Sequence, residues 1–140
     1  MKKTEIEFFD EFRKVETILN DRFDCKNGVS EYINRMSEKQ STGEKKVPTW
    51  KDDFKTLKHL RWVRNQIAHN SETENICKKE DLKALKEFHK ALDSGKDPLS
   101  LIARKKKAVK QGSKKPLYAL IALGVIIAII RLVVMFIEAK

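Results

Sequence analysis

The stretch WKDDFKTLKHLRWVRNQIAH, residues 50–69, decides the fold of this 140-residue chain. Its apolar side chains recur every three or four residues, the spacing that places them on one face of an α-helix. These apolar positions are Trp50, Phe54, Leu57, Leu60, Val63 and Ile67. Thr49 follows Pro48 and can serve as the N-cap, with Asp52 at the capping-box position. The stretch therefore predicts a long amphipathic helix with one buried face.

Three other segments show the same kind of amphipathic pattern. They run from Thr4 to Phe23, from Val29 to Met36 after the turn signal Asn27-Gly28, and from Leu82 to Leu92 before Ser94-Gly95. Residues 39–48 are polar and are predicted to form a loop. Four helices without a convincing strand predict an all-α protein, a small four-helix bundle over residues 1–97. Aromatic residues are more often core than ligand platforms, so Phe8, Phe12 and Trp50 are predicted in its interior.

Arg64 interrupts the apolar face of residues 50–69. Its same-face neighbours within about two turns are Leu57, Leu60, Ile67 and Ala68, with Arg61 the only polar exception. A guanidinium keeps its charge and is costly to bury without a partner. Arg64 should therefore either meet a carboxylate, such as Glu16 or Glu87, or line a cleft that receives an anion. The sequence leaves both interpretations open.

His69 follows five residues after Arg64, where Asn70 can supply a left-handed C-cap. Cleavage of RNA through its own 2'-hydroxyl needs a group of near-neutral pKa to move protons and a fixed cation to hold the phosphoryl oxygens. His69 and Arg64 match those two needs. One histidine lacks a partner acid for the leaving oxygen, and a second copy of the chain across a two-fold axis would supply it.

The hexapeptide Arg64-Asn65-Gln66-Ile67-Ala68-His69 resembles the motif of the HEPN superfamily (higher eukaryote and prokaryote nucleotide-binding domains). In that motif an arginine is followed by a polar residue and then, after four to six positions, by a histidine. The helical patterns of residues 1–97 loosely resemble the bundle of that family. The resemblance implies metal-independent RNA cleavage without a cofactor, at a site formed across a dimer. Arg64 would grip the scissile phosphate, Asn65 would add a polar contact and His69 would move the proton.

The net charge of +10 is concentrated near the C-terminus. Residues 98–115 hold seven basic and no acidic residues, whereas residues 1–97 are close to neutral overall. This basic segment precedes Leu117–Ile137, an apolar run in which Arg131 is the only charged residue. The basic excess therefore favours contact with anionic membrane headgroups, and any RNA contact of residues 1–97 should be local.

The apolar run from Leu117 to Ile137 is long enough to cross a bilayer. As a helix it would extend about 31 Å, which matches a hydrocarbon core of roughly 30 Å. We expect a single transmembrane helix within residues 116–138, so that the protein is tail-anchored. The basic residues at 98–115, which form a juxtamembrane linker, would keep residues 1–97 in the cytoplasm.

Several other residues are given structural roles. His59 and His89 are predicted to be packed or solvent-facing rather than catalytic. Trp62 falls off the apolar stripe and is predicted to be exposed beside the site. Cys25 and Cys77 are widely spaced and lack a metal-ligand pattern, so neither a disulfide nor a metal site is assigned to them.

The leading functional hypothesis is a membrane-anchored, HEPN-like ribonuclease, acting as a toxin or antiviral effector. Its expected partners are RNA, a second copy of the chain and a regulatory protein. Gly124 and Ala128 have the spacing of small residues that lets two membrane helices approach closely. One alternative is a non-catalytic, tail-anchored interaction module in which Arg64 is structural. Another is an effector that perturbs the membrane through its tail, with Arg131 lining the assembly or otherwise snorkelling to the headgroups.

Overall fold

The computed structural model describes residues 2–69, 76–104, 123, 125–127, 129–131 and 135. Within these ranges the chain is helical and contains no β-strand, so the predicted all-α class is confirmed. The helices are α1 (Lys3–Phe23), α2 (Gly28–Glu38), α3 (Gln40–Lys46), α4 (Trp50–His69) and α5 (Lys79–Asp93). Residues 98–104 are also helical. Helix α1 packs against α2 and α5, and α4 packs mainly against α2.

The core lies between the apolar faces that the helical periodicity predicts. Phe8, Phe12 and Trp50 are buried, as expected. Other side chains with almost no exposed surface are Val15, Leu19, Tyr32, Met36, Leu60, Val63 and Leu85. Burial of one such apolar side chain contributes about 1.5–3 kcal/mol, and this term holds the helices together.

A close approach joins α1 to α2. Asp24 takes a left-handed conformation at φ 52° and ends α1. The side-chain oxygen of Asn20 then accepts a hydrogen bond from the Gly28 N–H at 2.7 Å. A Cβ at position 28 would lie 2.5 Å from the Cβ of Leu19, so this junction requires glycine.

The loop prediction for residues 39–48 is wrong, because Gln40–Lys46 form α3. Gly43 lies directly against the Trp50 ring, where a side chain would have no room. Val47, at the end of α3, is also buried. The segment has too few apolar residues for a helical pattern to be recognised, and its order comes from the contact with Trp50.

The packed unit extends past residue 97, the domain boundary that the sequence predicts, and ends at Ile102. Leu99 and Ile102 are buried in the core. Asp97 begins the helical segment 98–104, because its Oδ1 accepts a hydrogen bond from the Ser100 N–H at 3.2 Å. The first turns of the predicted basic linker 98–115 are therefore part of the bundle.

A second unit comprises Ala103–Lys140. Its described residues 123, 125–127, 129–131 and 135 are helical and exposed. Among the described residues, no helix has both the length and the apolar character needed to cross a membrane. Most of the predicted span 116–138, with Gly124 and Ala128, lies outside them.

Candidate functional site

Arg64 lies on the side of α4 that faces α1 and is half-buried. Its guanidinium carbon is 5.7 Å from the centre of the Phe9 ring on α1, within the range of a cation–π contact. Its Nη1 donates a hydrogen bond to the side-chain oxygen of Asn65 at 3.2 Å. The structure thus brings two of the three predicted site residues together.

Glu16 on α1 is a carboxylate that interacts electrostatically with Arg64. Burial raises the pKa of Glu16. Hydrogen bonds from the Val29 and Gly28 N–H groups and the positive charge of Arg64 lower it in part. Burial outweighs them, so the pKa of Glu16 stays above its usual value. Among the described residues, Arg64 has no ion pair within 4.0 Å. Glu87, the other carboxylate considered, lies 3.9 Å from Lys83 instead. Arg64 is therefore attracted by Glu16 without forming a close pair with it.

His69 is exposed and is the last residue of α4. At about 100° per residue, five residues separate the directions of the Arg64 and His69 side chains by about 140° around the helix. Asn65 is exposed between them. A single chain therefore does not direct Arg64 and His69 toward one common point.

Trp62 is exposed, as its position off the apolar stripe predicts, and it stacks on His59. The two ring centres are 5.8 Å apart with an angle of 23° between the planes. His59 Nε2 lies 3.0 Å from Asp81 Oδ1, and the other oxygen of Asp81 accepts the Lys78 N–H at 2.9 Å. His59 thus has a carboxylate partner that no local pattern in the sequence reveals.

His89 also has a carboxylate partner, in the interior of the bundle. Its Nδ1 lies 2.6 Å from Glu11 Oε1, and its Nε2 lies 3.6 Å from Asp93 Oδ2. Burial raises the pKa of Glu11, but hydrogen bonds and charges from His89 and Lys14 outweigh burial and bring it below its usual value. This pair joins α1 to α5, which agrees with the packing role predicted for His89.

A buried polar cluster surrounds Asp97, which has no exposed surface. The Tyr32 hydroxyl donates to Asp97 Oδ1 at 2.6 Å and accepts the Leu99 N–H at 3.1 Å. Arg22 Nη1 lies 3.2 Å from the same carboxylate oxygen. Burial and the negative charge of Asp97 raise the pKa of Tyr32 well above its usual value. The cluster holds the segment after α5 against α1 and α2.

Cys25 and Cys77 are both free thiols, Cys25 partly exposed and Cys77 buried. Burial, with the charges of Asp81 and Glu5, raises the pKa of Cys77 to about 11. Within the described ranges, no cluster of three or more His, Cys, Asp or Glu residues is suited to a metal ion.

The fold and this site define an all-α domain whose fourth helix carries an arginine–asparagine pair and a terminal histidine. The chain belongs to a family of unknown function, DUF6548, whose family model matches residues 6–118. No curated protein and no solved structure matches the chain. The resemblance to the HEPN superfamily therefore remains a prediction.

Proposed function

We propose that this protein is a membrane-anchored ribonuclease that cleaves RNA without a metal, at a dimeric site of Arg64, Asn65 and His69. The observation that carries the proposal is the environment of Arg64. This permanent cation is half-buried, touches an aromatic ring and an amide, and has no close carboxylate among the described residues. A phosphate is a suitable counterion, because a guanidinium can donate two parallel hydrogen bonds to its oxygens.

Each residue of the site has one task in the proposed reaction. The 2'-oxygen of RNA attacks the adjacent phosphorus, a base accepts the proton of that hydroxyl, and an acid protonates the departing 5'-oxygen. Arg64 holds the phosphoryl oxygens as negative charge develops on them. Asn65 accepts a hydrogen bond from Arg64 and orients the guanidinium. His69 serves as base or acid.

In this proposal the site needs a second copy of the chain, because Arg64 and His69 point in different directions from α4. They point about 140° apart on one helix, so a single copy does not direct both side chains toward one point. A two-fold axis would bring His69 of another copy to the site and would also provide the second proton-transfer group. An isolated monomer should then be inactive.

We assign the tail to a membrane on the strength of its composition. Leu117–Ile137 contains one charged residue, and the described apolar side chains within it are exposed rather than packed in a core. Such a run is stable when hydrocarbon surrounds it. Anchoring would place the bundle in the cytoplasm and raise the effective concentration of partner chains. A toxin or antiviral effector held silent by a regulatory protein fits this arrangement.

The test is RNA cleavage by the full chain in non-ionic detergent. Arg64→Ala should lower the cleavage rate by about 10²–10³-fold, the usual effect of removing a group that stabilises the transition state. His69→Ala should lower it by about 10²–10⁴-fold. Arg64→Ala should cost less than about 1 kcal/mol of folding stability, because its contacts are a half-exposed cation–π contact and one hydrogen bond.

Arg61→Ala is the matched control, because Arg61 lies one turn earlier on α4 and donates to Ser30 at 3.3 Å instead. It should retain cleavage within a few-fold. The proposal fails if the pure wild-type chain does not cleave RNA. It also fails if Arg64→Ala unfolds the bundle while its folded fraction cleaves at the wild-type rate.

A mixing experiment tests the dimeric site. Wild-type chains are diluted tenfold into His69→Ala chains and allowed to exchange partners. If one site needs both copies of His69, cleavage per wild-type chain should fall to about a tenth, because only that fraction finds a wild-type partner. Unchanged cleavage per wild-type chain would show that one His69 is enough for each site. Cleavage recovered on mixing Arg64→Ala with His69→Ala chains would then show that Arg64 and His69 of one site come from different copies.

The second candidate is a non-catalytic helical module, and the nearness of Glu16 favours it. Glu16 is partly buried and its ionisation responds to Arg64. If Arg64 serves to pair with Glu16 in the folded bundle, replacing either residue should lower folding stability by a similar amount. Replacing both should then lower it no more than replacing one.

A further inference from the structure

We propose that the solvent-facing side of α4 binds single-stranded RNA, with Trp62 as the platform on which one base stacks. This inference rests on the proposed function, since it supplies the substrate class for the same helix. We call this surface the Trp62 face. It consists of Lys55, Lys58, His59, Trp62, Asn65 and His69.

The Trp62 face is a continuous stripe along the helix. Positions 55, 58, 62, 65 and 69 are separated by three or four residues, so their side chains lie on one side of α4 over about 21 Å. All of them are exposed. The stripe ends at Asn65 and His69, which places two of the three proposed site residues next to the platform.

Trp62 is restrained on one side by a contact within the chain. Its side chain is 51% exposed, yet one side of the indole stacks on His59. His59 is held in turn by Asp81 at 3.0 Å. A ring that is already restrained loses less conformational entropy on binding, and its remaining surface can accept the face of a base.

The charge around Trp62 suits a phosphate backbone. Of the six residues of the Trp62 face, Lys55 and Lys58 are positively charged and none is acidic. Asp81 lies beside the surface, but it is almost fully buried and its two oxygens are occupied by His59 and the Lys78 N–H. A basic surface around an exposed aromatic ring is typical of proteins that bind single strands.

The neighbours of Trp62 favour RNA over a protein partner. Centres of protein interfaces are poor in charged residues, whereas Trp62 is surrounded on its stripe by lysine, histidine and asparagine. A single strand is preferred over a duplex because its bases are free to leave their neighbours and stack on a side chain.

Tryptophan fluorescence provides the test, because the chain has two tryptophans and Trp50 is only 1% exposed. The probe is a short oligouridylate with 2'-O-methyl groups in place of the attacking hydroxyls, so that the full-length chain can bind it without cleaving it. The strand should quench the fluorescence of Trp62 and bind with an affinity that falls with salt. Trp62→Ala should weaken binding about 5- to 150-fold, whereas Trp62→Phe should retain most of it. The same strand in a duplex should bind more weakly and quench little.

Lysine variants provide the matched control for charge. Lys55→Ala removes an exposed cation from the Trp62 face, and Lys86→Ala removes an exposed cation from α5. The first should weaken binding and reduce its salt dependence, while the second should change neither. Equal effects of the two variants would show that binding comes only from general charge attraction, which would overturn the proposal.

Two further outcomes would overturn the inference. One is oligouridylate binding that is unchanged in Trp62→Ala. The other is loss of oligouridylate binding as the chain self-associates at higher protein concentration, which would show that a second copy covers the Trp62 face. Cleavage measured separately on the wild-type chain keeps the two proposals apart. Binding through Trp62 without cleavage ends the nuclease proposal alone, and cleavage with no dependence of binding on Trp62 ends this inference alone.

Discussion

Tyr32→Phe should destabilise the bundle by about 2 kcal/mol. The lost hydroxyl donates to Asp97 Oδ1 and accepts the Leu99 N–H, at 2.6 and 3.1 Å, and both hydrogen bonds are buried. Phenylalanine keeps the ring but leaves the Leu99 N–H without its acceptor. Asp97 keeps Arg22 and the Ser100 N–H. One orphaned buried group costs about 1–3 kcal/mol, which sets the expected value.

The measurement is urea and thermal unfolding of the full chain, followed by far-UV circular dichroism. For a domain of this size, about 2 kcal/mol corresponds to a fall in Tm of about 8–16 °C. Asp97→Asn should cost a similar amount, because Arg22 is partly exposed and can regain water. Since Tyr32 and Asp97 share a hydrogen bond, the double variant should be more stable than the sum of the two losses predicts, by at least about 0.5 kcal/mol.

Ser100→Ala is the control, because its hydroxyl makes an exposed hydrogen bond with Arg22. It should change stability by less than about 0.5 kcal/mol. The reasoning would be refuted if Tyr32→Phe cost no more than this control, or if the Tyr32 and Asp97 losses simply added. The first result would mean that the hydroxyl of Tyr32 contributes nothing to holding residues 97–102. The second would mean that its hydrogen bond to Asp97 contributes nothing.

Two further predictions concern Glu16 and the cysteines. Glu16→Gln should slightly raise stability at pH 7, because burial keeps the pKa of Glu16 above its usual value. Protonation therefore favours the folded wild type, so the difference in unfolding free energy should shrink as pH falls toward about 4. A loss above about 1 kcal/mol at pH 7 would instead make Glu16 the counterion of Arg64. At pH 8, Cys25 should react with a disulfide reagent much faster than Cys77, whose pKa is raised to about 11. Equal rates for the two thiols in the folded chain would contradict this.

The amphipathic patterns predict the main helices because burial of an apolar stripe is a local property of the chain. The predicted pattern from Thr4 to Phe23 corresponds to α1, and residues 50–69 correspond to α4. The same rule places Phe8 and Phe12 in the core and Trp62 outside it. It also places Arg64 toward the other helices, although the structure leaves that side chain half-buried rather than enclosed.

The polar pairs between distant segments have no local signature in the sequence. Glu11 and His89 are 78 residues apart, Tyr32 and Asp97 are 65 apart, and His59 and Asp81 are 22 apart. Each pair depends on which segments pack against each other and on how far one is shifted along the axis of the other. That information is absent from the spacing of residues along one helix. The sequence around His59 and His89 therefore does not reveal which carboxylates they contact.

The sequence by itself determined the helical class, the apolar faces and the positions of Arg64 and His69 along α4, because these follow from periodicity within one segment. Only the tertiary structure decided that α3 forms against Trp50, that the bundle ends at Ile102 and that Arg64 lies beside Phe9. It also decided that His59 stacks on one side of Trp62. These features arise from contacts between distant segments, whose energies exist only after the helices have packed.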